Sequence, residues 1–207
     1  MLDNFKLVCV TARKLCGDDF IKRLEKISKN CDLIILREKD LTEEEYFSLA
    51  EKFLHVCSNG RATPVLHCFW KKALELHHDK IHLSLKDFRE NPQIREKFSL
   101  VGVSIHSPEE AKKAEALGAD YVTAGHIFET DCKKGLKGRG LEFLRQVSQG
   151  VSIPVYAIGG ISAENMEPLR EAGANGVCIM SGFMKADDFG ESFYKRKTEI
   201  LEKENRA

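Results

Sequence analysis

Several short apolar runs in this 207-residue sequence stop at side chains that can move protons or hold anions. The run at 33–38 ends in Arg37 and Glu38 and leads into Lys39. That at 63–68 ends in His67 and Cys68, 80–84 carries His82 and Ser84, 100–106 ends in Ser104 and His106, and 121–126 ends in His126. Imidazole titrates at ~6.5, which suits a group that must both accept and donate a proton near neutral pH. The runs at 155–160 and 176–182 close differently, on Gly159–Gly160 and on Ser181–Gly182. Glycines let backbone N–H groups approach an anion, and a helix N-terminus adds its positive end. A lone Gly-Gly pair is more simply a tight strand-to-helix turn. Its repetition as Ser-Gly one unit later turns the reading toward a phosphate cup.

The elements that must hold these residues follow from the pattern between them. Eight β-branched, apolar runs, at 6–12, 33–38, 63–68, 80–84, 100–106, 121–126, 155–160 and 176–182, alternate with amphipathic stretches such as TEEEYFSLAEKFLHVC and SPEEAKKAEALG. In those stretches apolar residues recur at three- and four-residue spacing, as helices require. Ser107 before Pro108, and Ser162 with Asn165 three residues on, supply N-terminal caps, and Gly118 and Gly173 supply helix ends. Near-continuous apolar strands alternating with helices imply a parallel sheet covered on both faces. Eight units predict a single (β/α)8 TIM barrel over 1–207, with a doubly wound open sheet as the alternative, since periodicity alone does not show closure. A barrel puts its chemistry at the C-terminal ends of the strands, where the polar residues lie.

Composition removes other classes of function. Thirty-two basic residues balance 32 acidic ones, so no net field favours nucleic acid or an anionic membrane. No apolar run approaches the ~20 residues of a membrane span. The seven cysteines are odd in number and lack a CxxC pair, which argues against a disulfide framework or structural zinc and for a reduced, cytoplasmic setting.

The segments LIILREKD, IHLSLKD, VGVSIHSPEEAKKAEALGADYVTAGHIFETDCKKG and IPVYAIGGISAENM, with GANGVCIMSGF beyond them, resemble the thiamin phosphate synthase family over nearly the whole chain. The resemblance implies a (β/α)8 barrel, a homodimer, and phosphorylated thiazole or pyrimidine substrates. Two activities share the family. The synthase joins a pyrimidine diphosphate to a thiazole phosphate with magnesium. The family pattern then implies an Asn-Asp pair after strand three, an Asp after strand four, and a Gln before the strand-two arginine. Here His67–Cys68 replaces the pair and Ile35 replaces the Gln, while Asp87, Arg37 and Lys39 remain. Loss of a carboxylate weakens a site for a hard cation.

The other branch, the thiazole tautomerase, aromatises a thiazole carboxylate phosphate without metal or other cofactor. Its pattern GHxFETDCKKGxxGRG is matched by GHIFETDCKKGLKGRG at 125–140. The expectation is therefore a tautomerase with His126 as acid and base. Arg37, Lys39, His67, His106 and Thr130 are expected to contact the substrate. Lys134 (or its neighbour Lys133), Gly159, Gly160, Ser181 and Gly182 are expected to hold the phosphate. Asp87 serves magnesium only in the synthase alternative. A third reading is a non-catalytic regulator that binds thiazole or thiamin phosphates.

Overall fold

A computed structural model describes residues 5–17, 19–130 and 135–206. Eight parallel strands close into a barrel in sequence order: β1 (Lys6–Val10), β2 (Leu33–Leu36), β3 (Thr63–His67), β4 (Lys80–Ser84), β5 (Leu100–Ile105), β6 (Tyr121–Gly125), β7 (Val155–Ile158) and β8 (Gly176–Ile179). Closure is explicit in the pairing of β1 with β8, where Val8 stands beside Cys178. The open-sheet alternative is thereby removed.

Side chains alternate across the strands, so the barrel has two cores. Val8, Val10, Leu33, Ile35, Val65, Tyr121, Tyr156 and Cys178 fill the interior. Their neighbours, among them Leu7, Cys9, Ile34, Leu36 and Leu66, pack outward against the helices. The helices include α1 (Phe20–Ile27), α2 (Glu43–Cys57), α3 (Trp70–Glu75), α4 (Leu85–Glu90), α5 (Ile94–Lys97), α6 (Pro108–Ala116), α7 (Gly140–Gly150), α8 (Met166–Glu171), α9 (Ser181–Lys185) and α10 (Glu191–Arg206).

Local chemistry sets the helix ends. The Ser107 hydroxyl accepts from the backbone N–H of Glu110, with Pro108 in the first turn. Thr42 and Glu45 cap α2 reciprocally. Ser162 and Asn165 make the same box at a short 3-10 turn ahead of α8. Gly118 and Gly173 follow their helices at φ +88° and +93°. At the far end of the barrel the buried Lys197 of α10 donates to Asp32 at 2.8 Å, and Asp32 also accepts from the N–H of Leu7. The last helix is thus fastened to the base, away from the mouth.

In-register pairing continues inside the barrel. His67 pairs with His82, His82 with Gly102, and Gly102 with Tyr121. A side chain at Gly102 would run into the Tyr121 ring and the His82 imidazole. Glycine there makes room for the two rings to meet.

Candidate functional site

The strand ends surround a cavity of about 840 Å³ at the C-terminal mouth of the barrel. Its floor is a neutral polar network. His82 Nδ1 is 3.1 Å from the Tyr121 hydroxyl and its Nε2 is 2.8 Å from Ser104 Oγ. Thr123 Oγ1 donates to Ser104 Oγ at 3.3 Å, and His67 stacks on His82 with ring centroids 5.8 Å apart. Burial pushes the His82 imidazole down to about 3, helped by the positive charge of Lys39 and Arg37. His67 falls well below the usual histidine range, first by burial and then by His82 and the same two cations. Both rings are uncharged near neutral pH, so the floor can orient a heterocycle by hydrogen bonds without a competing charge.

One side of the mouth is cationic. Arg37 and Lys39 continue the inward alternation of Ile35 past the end of β2, and Lys86 joins them from the start of α4. Lys14, on the short turn after β1, lines the rim and pairs with Asp40 at 2.9 Å. The other side is formed by Gly159, Gly160 and Ser181 at the ends of β7 and β8, with Thr130 beside them. Gly159 and Gly160 have φ of +107° and +65°, where L side chains are strained. Gly182, in the first turn of α9, packs against the Phe193 ring, which lies 2.6 Å from where a Cβ would be.

His126 does line the cavity, as does His106, which is exposed at the rim. The His126 ring is seated by the loop that follows it. Its Nε2 lies 3.3 Å from the Leu136 carbonyl, which can only accept, so Nε2 carries the proton. In the neutral ring Nδ1 is then a lone-pair acceptor, buried and without a donor among the described residues. Backbone bonds from Ile127 and Phe128 to the carbonyls of Ile158 and Gly159, and from Arg139 to the His126 carbonyl, pin the loop's base onto β7. Lys133 and Lys134 lie outside the described residues.

The donor set for magnesium is thin. Among the described residues no group of three or more His, Cys, Asp or Glu side chains stands close enough to hold a metal. The Asp87 carboxylate is engaged by Ser84 Oγ at 2.6 Å, and neither Asp87 nor Cys68 belongs to the mouth lining. Cys68, held at φ 65°, has its thiol pushed up by burial, with Lys39 opposing and Asp87 adding to the shift. Magnesium prefers oxygen donors and commonly combines one or two carboxylates with substrate phosphates. These residues do not make a resident magnesium site.

Lys14 and Lys86 were not among the residues singled out from sequence. The strand-end rule applied to β1 points to Lys14, and Lys86 stands two residues beyond Ser84.

The chain matches the family model described as thiamine monophosphate synthase over residues 7–183. A thiamine-phosphate synthase of Fusobacterium nucleatum is 33% identical, covering 90% of this chain and 93% of that protein. A putative thiamine-phosphate synthase 2 of Aquifex aeolicus is 36% identical, covering 87% and 98%. Among solved structures, the thiamine phosphate pyrophosphorylase of Pyrococcus furiosus superposes with a TM-score of 0.81 at 29% identity, covering 97% of this chain and all of that one. These relatives carry the synthase name, and that overturns the expectation of a tautomerase. The expectation put the weight on one loop and one histidine, whereas the mouth as built also has a cationic side formed by Arg37, Lys39 and Lys86. By sequence over most of its length and by its closed barrel, this chain belongs to the thiamine monophosphate synthase family.

Proposed function

We propose that this barrel joins a pyrimidine diphosphate to a thiazole phosphate and releases pyrophosphate. The observation that carries the reading is the two-ended mouth: Arg37, Lys39 and Lys86 on one side, and Gly159, Gly160 and Ser181 across from them. The first side suits a diphosphate, whose leaving charge Arg37 can meet with paired N–H donors and Lys39 and Lys86 with point charges. The second suits a phosphate monoester held by backbone N–H groups and the Thr130 and Ser181 hydroxyls. An 840 Å³ cavity has room for both ligands, with the heterocycles between the two sides and over the His67, His82 and Ser104 floor.

In this reading the protein contributes proximity and charge. Holding nucleophile and electrophile in one cavity removes the entropy of encounter, and preplaced cations stabilise the departing diphosphate. Magnesium, where it takes part, enters on the diphosphate as part of that substrate. His126 anchors the loop through Leu136 and offers Nδ1 as an acceptor to a ligand donor. His106 is a rim contact.

The test is direct. Incubating the chain with pyrimidine diphosphate, thiazole phosphate and magnesium should yield thiamin phosphate and pyrophosphate in equal amounts. Binding of both substrates without pyrophosphate release would overturn the reading and favour a ligand-binding regulator.

A further inference from the structure

Glu38 stands in sequence between two cavity cations, yet it is 3% exposed and turned away from the cavity. Its Oε1 accepts from Thr11 Oγ1 at 2.7 Å and from the Arg13 backbone N–H at 3.0 Å. Its Oε2 takes the same N–H at 3.2 Å and Arg13 Nη1 at 3.4 Å. The Thr11 hydroxyl in turn accepts from the backbone N–H of Arg37 at 2.9 Å. Arg13 continues outward to Asp40 at 2.8 Å, and Asp40 pairs with Lys14. One buried carboxylate therefore ties the turn after β1 to the turn after β2, the two segments from which Lys14, Arg37 and Lys39 reach the mouth.

We propose that Glu38 is a positioning residue that fixes the cationic side of the mouth for a diphosphate. Like charges gathered in one cavity repel one another, and long side chains on turns lose their aim unless the backbone below them is held. Glu38 supplies both the hold and an opposing charge without touching the ligand. The Thr11 hydroxyl passes the constraint to the Arg37 backbone. This assignment rests on the diphosphate reading of the Arg37 and Lys39 side.

The experiment measures binding at the two sides separately by calorimetry, with inorganic pyrophosphate plus magnesium as one probe and thiazole phosphate as the other. Glu38→Gln keeps the shape and removes the charge, and Thr11→Val removes the relay. Each should weaken pyrophosphate binding by about ten-fold or more, the scale of one lost charge-assisted contact, with thiazole phosphate binding unchanged. In turnover each should raise KM for the diphosphate more than it lowers kcat. Equal loss at both sides, or pyrophosphate affinity within about two-fold of the parent in both variants, overturns the assignment. Parent protein that binds pyrophosphate but does not turn over refutes the synthase reading and leaves the Glu38 comparison intact. Parent protein that binds no pyrophosphate overturns both.

Discussion

His82 Nε2 lies 2.8 Å from Ser104 Oγ while the opposite ring nitrogen meets the Tyr121 hydroxyl, so the imidazole at the cavity floor has both nitrogens occupied by neutral partners. Burial holds it down to about 3, and His67 is lowered in the same direction. The sign follows from proton counting. Between about pH 6.5 and 3 the unfolded chain binds a proton at His82 that the folded chain refuses, so stability falls as pH falls through that window.

Denaturant unfolding from pH 7 to pH 4 should therefore show a loss of up to about 1.4 kcal/mol per pH unit from this histidine once the window is entered. His82→Gln should flatten that slope by up to one proton. An unchanged slope in the variant would mean that His82 titrates normally in the fold.

The glycine turn after β7 gives a second prediction. A Cβ on Gly159 would sit 2.5 Å from His126 Cβ, and one on Gly160 would strike the Glu129 carbonyl, both at positive φ. Gly159→Ala should lower stability by about 1–3 kcal/mol and weaken thiazole phosphate binding, because the turn and the loop base move together. Gly17→Ala, with no described residue within 4 Å of its added methyl, is the control and should leave the melting temperature and binding close to the parent. Equal melting temperatures and affinities for the parent and the Gly159 variant would contradict the packing described.

All eight strands and the barrel were legible because each run is bounded by polar residues and separated by a helical period. The sequence pattern also carried His126, Gly159 and Gly160 to the mouth, since the last residues of barrel strands face it. Short helices such as α3 and α5 were not singled out, being one or two turns long with little periodicity to detect. The packing of Gly182 against Phe193 was not legible, because it is a long-range contact that local spacing does not encode. The role of Glu38 was hidden for the same reason: its partners, Thr11 and Arg13, lie 27 and 25 residues away in sequence.

Substitutions at Arg37 and Lys39 should separate the two sides of the mouth kinetically. Arg37→Gln should raise KM for the diphosphate substrate by about 10- to 100-fold, the range of one or two charge-assisted hydrogen bonds, with KM for thiazole phosphate little changed. Lys39→Gln should act in the same sense but less strongly, since an ammonium lacks the paired geometry of a guanidinium. Steady-state kinetics with each substrate varied in turn would check this. A rise confined to the thiazole phosphate KM would reverse the assignment of the sides.

Cys68 tests the thin metal donor set from the opposite direction. Its thiol is raised by burial and interacts electrostatically with Asp87, Lys39 and Arg37, so a carboxylate at this position would share their neighbourhood. Cys68→Asp adds the hard oxygen donor that magnesium prefers and that sulfur does not supply. The variant should bind magnesium pyrophosphate about ten-fold more tightly than the parent, and its affinity should depend more steeply on magnesium concentration. Without magnesium the added negative charge, near Lys39 and Arg37, offsets their attraction for a diphosphate, so affinity for free pyrophosphate should fall. Calorimetric titration of both proteins with and without magnesium distinguishes these outcomes. Tighter binding in the absence of the metal would show that Cys68 lies beside a different part of the ligand.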